Sequence, residues 1–236
     1  MNNYKVTGLV IKRHNLGEAD RILTVFSKEL GKLRVVAKGV RRGKSKLAGH
    51  LEPFIETEVQ LVKGRNLDVV TGARGQKYYR LDGVSLEVVT TAYLLLEVID
   101  RLLAEEQVNE AVYELLRESL NGLEVGLEHD LVRHYFFVKF LVLTGHQPDL
   151  QTGDGEGLYY LHFDSGSVRS KLSASQMGRP IERSIIKLWR LIYKCNLEFL
   201  GRVNGASEHL AAAQELIELF YEYHLHVRFK SEQILR

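Results

Sequence analysis

The chain has 236 residues, 45% of them hydrophobic and 26% charged, with no long Ser, Gln, Gly or Pro tract; this excludes a largely disordered polypeptide and leaves room for two ordinary domains. No apolar run is long enough to cross a bilayer, the N-terminal stretch lacks the zones of a signal peptide, and the single cysteine, Cys195, excludes an internal disulfide framework, so the expected location is cytoplasmic, away from any membrane. The net charge of +2 hides an asymmetry: residues 1–80 hold 17 Lys+Arg against 7 Asp+Glu, a net of +10, whereas residues 81–236 hold 15 against 23, a net of −8. Such a division predicts that the first half meets a polyanion and the second does something else.

In chain order, the first 80 residues show period-two alternation between Gly-marked turns, the pattern of half-buried strands. Tyr4–Lys12, Arg21–Ser27, Lys32–Ala37, residues 54–62 and Leu67–Gly72 are the predicted strands, separated by Gly17, Gly31, Gly49 with Pro53, and Gly64. In "FIETEVQLV", Ile55, Thr57, Val59 and Leu61 share one face, and Glu56, Glu58 and Gln60 share the other, the wet one. Five short strands fit an OB-fold barrel, and a small SH3-like barrel fits nearly as well.

From Leu86 the period becomes helical. Helices are predicted over 86–106, 108–123, 129–145, Ile181–Leu200 and Ser207–Arg228, and the third, apolar on most sides, is the expected centre of a bundle. Around 146–175 lies a Gly-rich irregular segment with a short hairpin at "LYYLHF". The fold class is therefore α+β: a barrel domain over 1–80, then a mainly helical domain over 81–236.

"VVAKGVRRGKSK", Val35 to Lys46, raises two readings. A phosphate-binding P-loop needs four residues between its first glycine and the Gly-Lys-Ser/Thr end, and a long helix after it. Gly39 and Gly43 enclose only Val40, Arg41 and Arg42, and Gly49 and Pro53 follow within two turns. The electrostatic reading is stronger: Lys32, Arg34, Lys38, Arg41, Arg42, Lys44 and Lys46 lie in a stretch with no acid between Glu29 and Glu52. A loop of this density leaving a barrel strand is suited to a nucleic-acid backbone, read without sequence specificity. Tyr4, Phe26, Phe54, Tyr78 and Tyr79 are the aromatic candidates for stacking on bases, with some of them expected in the core.

No motif for catalysis or metal binding emerges. Cys195 sits on a patterned helix and reads as a small buried apolar group. His224 and His226, two apart, point in opposite directions on a helix. Lys230 and Ser231 near the end, where cations complement a helix dipole, are as readily structural.

Gly8 to Phe54 resembles the N-terminal domain of the bacterial DNA repair protein RecO family. The likeness rests on the Gly-Leu-Val start, Gly17-Glu18-Ala19-Asp20-Arg21, Thr24 to Phe26, Gly31-Lys32, and Ala37-Lys38-Gly39 followed by Arg41-Arg42 and Lys44-Ser45. "FFVKFLVLTGHQPDL" and "YHLHVRFKSEQIL" extend it more weakly into the second half. The resemblance implies an OB-fold followed by a helical domain and a non-enzymatic recombination mediator without cofactor. Such a mediator binds single- and double-stranded DNA, anneals complementary strands, engages the acidic C-terminal tail of single-stranded DNA-binding protein, pairs with RecR and so helps load RecA. It also implies that Arg34, Lys38, Arg41, Arg42, Lys44 and Lys46 contact DNA, and that Glu18 and Asp20 are structural, paired with nearby arginines. One departure stands out: some members carry four zinc-binding cysteines after the central helix, whereas 146–170 has none. His146 and His162 with Asp149, Asp154, Glu156 and Asp164 form no recognisable ligand set. The competing readings are an RNA-binding OB-fold scaffold in translation or ribosome assembly and a nucleotide-dependent enzyme using Gly39 to Ser45.

Overall fold

The computed structural model describes residues 3–81, 83–151, 158–170 and 177–229. Five strands, β1 (Asn3–Leu16), β2 (Asp20–Ser27), β3 (Gly31–Ala37), β4 (Ile55–Val62) and β5 (Asp68–Tyr78), close into a barrel in the order β1-β2-β3-β5-β4. Only the β3–β5 contact is parallel; β4 pairs back on β1 and completes the ring, giving the expected OB-fold. Val6, Val10, Leu23, Val25, Val35, Val59, Leu61 and Val70 fill its interior, as strict alternation requires of a barrel too small to hold anything but side chains. Thr57 also faces inward, its hydroxyl donating to the His50 carbonyl (2.6 Å).

The outer face of the barrel is not uniformly wet. Leu9 and Ile11 alternate with the inward Val6 and Val10 and so face outward, Ile11 at the bulge that shifts the register between Val10 and Lys12. These two, with Phe26, join the core of the helical half, and Phe26 packs on Tyr113 at 5.6 Å between ring centroids. Glu56, expected on the wet face, is buried: its carboxylate accepts from the Tyr113 hydroxyl (2.8 Å) and pairs with Arg117 (3.0 Å). Alternation places Glu56 on the outside correctly, but a helix covers that patch.

The helical half comprises α1 (Leu86–Leu102), α2 (Glu110–Glu124), α3 (His129–Thr144), α4 (Arg183–Lys194), the single turn α5 (Leu197–Leu200) and α6 (Leu210–His224). α3 is central, buried over most of its circumference from Leu131 to Leu141 with Arg133 and Lys139 partly exposed, and packs on α1, α2, α4 and α6. Among the described residues, no helix is long and apolar enough to cross a membrane.

Three predicted helices change their bounds. The first stops at Leu102, where the backbone becomes extended; Glu106, at φ 58°, donates its N–H to the Lys32 carbonyl (2.9 Å), so the predicted last turn runs along β3 instead. Residues Ile181–Leu200 are not continuous: Ile181 ends a strand, α4 ends at Lys194, and Cys195 and Asn196 are extended. The Asn196 side chain then caps α5 by accepting from the Phe199 N–H (2.9 Å). Lys139 of α3 donates to the carbonyls of Ile192 (3.0 Å), Tyr193 (3.2 Å) and Cys195 (2.9 Å), satisfying the groups that the break leaves open. The last helix is shorter at both ends, and His226 lies beyond it at φ 57°.

The hairpin at 158–163 becomes a three-stranded sheet, β7-β6-β8, formed by β6 (Tyr159–His162), β7 (Ser167–Arg169) and β8 (Gly178–Ile181). β8, "GRPI", has no alternation to reveal it.

Candidate nucleic-acid interface

The loop from β3 to β4 is held by its apolar residues and its backbone, which leaves its cations outside. Val40 and Leu51 insert into the barrel end, with Leu47 and Ala48 packed beside them. Gly39, at φ +64°, takes the left-handed conformation that a glycine adopts at no steric cost. Its N–H donates to Asp20 (2.7 Å), and the Arg41 N–H donates to the Ala19 carbonyl (2.9 Å), tying the loop to the β1–β2 hairpin. After Ser45 the chain makes one 3₁₀ turn, Ala48–His50, where a P-loop requires a long helix.

Lys38, Arg41, Arg42, Lys44 and Lys46 are all exposed on this one loop. Among the described residues, Arg41 alone of the five carries a side-chain hydrogen bond, to the Gly17 carbonyl (2.9 Å). Arg34 is also exposed, four residues back on β3 and about 13 Å along the strand. It lies in an open groove of about 440 Å³ where the barrel meets the end of α1, with Lys12, His14, Arg101, Asp100 and Glu105. The structure thus gathers five predicted contacts and sets the sixth beside a different cluster. Lys12 and His14 reach the rows of Arg34 and Val36 through the register Lys12↔Thr24↔Arg34 and His14↔Ile22↔Val36, a neighbourhood that the bulge in β1 hides from sequence reading.

None of the six candidates forms an ion pair with a described carboxylate. Glu52, which ends the acid-free run, instead bridges Arg13 and Arg21. Asp20 is structural, but through the Gly39 backbone and not through an arginine. Lys32 leaves the surface altogether. It is 7% exposed and donates to the Asp100 carbonyl (2.5 Å), and burial pulls its pKa down against the pull of Asp100 and Glu105.

Of the five aromatic candidates, Phe26 and Tyr79 are buried and Tyr4 is hydrogen-bonded to Asp68. Phe54 is half-buried edge-on against Tyr93 (4.8 Å). Tyr78 is the exposed one, its hydroxyl on His50 Nδ1 (3.1 Å) just after the basic loop. Tyr93, on α1 and 42% exposed, was not a candidate because helical periodicity draws attention to core positions.

A second groove, of about 480 Å³, runs between β5, α2 and α3, lined in part by Tyr79, Leu115, Tyr135 and Leu143. Its cations are engaged: Lys77 with Asn121 (2.9 Å), Arg117 with Glu56 and Glu114, and Lys139 with the α4 carbonyls. Cys195 is half-buried and burial pushes its thiol pKa up, away from a reactive thiolate. Among the described residues, no three His, Cys, Asp or Glu side chains gather in a metal-binding group. Asp154, Glu156, Lys230 and Ser231 lie outside the described residues.

Comparison with known proteins gives a consistent result over nearly the whole chain. Residues 1–79 match the family model described as recombination protein O N terminal, and residues 84–233 match recombination protein O C terminal. Proteins described as DNA repair protein RecO are similar to it: that of a Roseiflexus species is 36% identical over 93% of this chain and 80% of its own length. The Bacillus subtilis protein is 28% identical over 98% and 93%, and a Dehalococcoides mccartyi protein 29% identical over 89% and 86%.

Proposed function

The chain belongs to the recombination protein O family of DNA repair and recombination proteins, and from that premise we propose that it is a non-enzymatic mediator whose β3–β4 loop grips DNA by its phosphates. One observation carries the reading: Lys38, Arg41, Arg42, Lys44 and Lys46 stand exposed on a loop pinned by Val40 and Leu51, with no described carboxylate spent on them. Cations not neutralised by a carboxylate are available to displace the counterions of a polyanion, whereas ion-paired ones would have to break a bond first. Arg34 extends the contact along β3. Because phosphates are the target, single- and double-stranded DNA both bind and sequence is not read.

Annealing follows without ATP, since neutralising phosphates lets complementary strands meet. The helical half engages proteins: RecR, the acidic tail of single-stranded DNA-binding protein, and through them RecA loading. The test is annealing of complementary oligonucleotides, bare and coated with single-stranded DNA-binding protein, without nucleotide, beside binding of matched DNA and RNA strands. ATP-independent annealing with comparable or stronger binding of DNA supports the proposal. A strong preference for RNA favours the scaffold reading, and annealing that needs ATP and fails in Lys44→Ala favours the nucleotide enzyme.

A further inference from the structure

The helical half is acidic overall, but its charge is not evenly spread. Residues 165–194 hold seven Lys+Arg (169, 171, 179, 183, 187, 190 and 194) and one acid, Glu182, while the rest of 81–236 holds eight against 22. Within this island lies α4. Its apolar side, Ile185, Ile186, Leu188, Trp189 and Ile192, is buried, and the residues exposed along it are Arg183, Lys187, Arg190 and Lys194. Steps of four, three and four keep them on one face, a ridge of about 16 Å.

This ridge is not an ordinary solvated helix surface, which mixes both signs of charge. Helix stability does not require it either: Lys194 complements the C-terminal dipole, but Arg183 in the first turn opposes the N-terminal one. Glu182 is turned elsewhere, toward Ser184 Oγ (3.1 Å) and His209 (3.5 Å). The two arginines are held in place, Arg183 over the Tyr159 ring (5.4 Å) and Arg190 by the Leu150 carbonyl. Lys187 and Lys194 make no ion pair or hydrogen bond among the described residues. No large hydrophobic side chain of α4 itself is exposed, Leu158, Met177 and Phe199 being the exposed ones on the flanking segments, so the ridge itself offers no apolar slot of the kind that an acidic, hydrophobic peptide needs. A strand of phosphates needs none. The apolar side of α4 is committed to the core, which also removes the means of lying in a membrane surface.

We propose that the outer face of α4 is a second, separate DNA-backbone site, which holds one strand while the β3–β4 loop holds the other. This rests on the reading of the loop as a DNA grip. Two sites on one molecule turn the meeting of strands into an encounter at high effective concentration, and each of the two polyanions is neutralised by its own set of cations.

The experiment uses the full chain with donor- and acceptor-labelled oligonucleotides. Lys187→Glu/Lys194→Glu changes only exposed side chains without partners among the described residues, so the fold is retained. The expected result is first-strand affinity within about threefold of wild type, loss of energy transfer between two bound non-complementary strands, and annealing slowed at least tenfold. Lys187→Arg/Lys194→Arg keeps all three wild-type values. Wild-type annealing by the Glu variant overturns the proposal, as does an equal loss of first-strand binding, which would make the two surfaces one site. Wild-type annealing with selective loss of a labelled acidic peptide ending in hydrophobic residues would make α4 a protein-docking face instead. A wild-type chain that holds no strand at all, while the acidic peptide still binds, removes the loop reading and the proposal with it.

Discussion

At the seam between barrel and bundle, Lys12, Lys28, Lys32 and Arg117 each have a partner: Asp100 at 2.5 Å, Glu110 at 2.9 Å, the Asp100 carbonyl at 2.5 Å and Glu56 at 3.0 Å. In the β3–β4 loop, Lys38, Arg42, Lys44 and Lys46 have none among the described residues, and Arg41 has only a backbone carbonyl. Lys32 and Arg34 show the contrast two residues apart on one strand, one buried against α1 and the other exposed. Composition counts all of these as the same positive charge. The structure separates cations that join two halves of the molecule from cations left over for something else.

The seam should break before the loop does. Gly31 sits at φ +71° with the Gln107 backbone against the space a side chain would occupy, so Gly31→Val strains the turn and pushes the halves apart. We expect a loss of about 3 kcal/mol, or roughly 6–12 °C in melting temperature, with DNA affinity per folded molecule unchanged. A melting temperature within 2 °C or so of wild type would show that the seam tolerates separation there.

Acid separates the two regions in another way. His134 is fully buried and neutral: Nε2 accepts from Trp189 Nε1 (2.9 Å), Nδ1 faces Gln214 Oε1 (3.1 Å), and burial lowers its pKa to about 4. Its folded pKa lies below the unfolded value of about 6.5, so the unfolded chain takes up the proton first. This contribution is complete above pH 6.5 and is lost as pH falls toward 4, up to about 3 kcal/mol in all. Urea midpoints should fall between pH 6.5 and 4.5 more steeply in wild type than in His134→Gln. His134 is buried in the helical half and is no part of the loop, so DNA binding by the folded protein should not follow this loss; equal slopes in the two proteins would contradict the assignment.

Arg117→Met tests the buried carboxylate. It leaves Glu56, with Tyr113 as its remaining partner among the described residues, in a covered patch, and we expect a loss of about 2 kcal/mol, below the cost for a fully buried pair because the Arg117 side chain is 37% exposed. Denaturant midpoints measure it, and an unchanged midpoint would mean that water reaches Glu56.

Much of this was legible in the sequence. Five strands, the central helix α3 and the basic loop all follow from periodicity and charge, because each is written in consecutive residues; that the strands form a small barrel was legible, its closure through the β1–β4 and β3–β5 pairings was not. What was not legible depends on a second surface. Glu56 alternates correctly, and only the arrival of Tyr113 and Arg117 buries it. Lys32 belongs to the basic run by spacing, and only α1 withdraws it. The loop's design was half visible: Arg41, Arg42 and Lys44 announce themselves, while Val40, the residue that anchors them, looks like a spacer. β8 and the break at Cys195 and Asn196 lack any periodic signal, although an asparagine ahead of Leu-Glu-Phe is a fair helix-start residue.

Salt-dependent binding of a labelled single-stranded oligonucleotide by wild type and Arg41→Glu/Arg42→Glu/Lys44→Glu, with melting temperatures recorded for both, tests the central claim most directly. The variant should melt close to wild type, bind roughly 100-fold more weakly at low salt, and show a log–log salt slope shallower by about 2, three phosphate contacts at about 0.7 each. Equal affinity and equal slope in a folded variant would show that the exposed cations of the β3–β4 loop do not hold DNA.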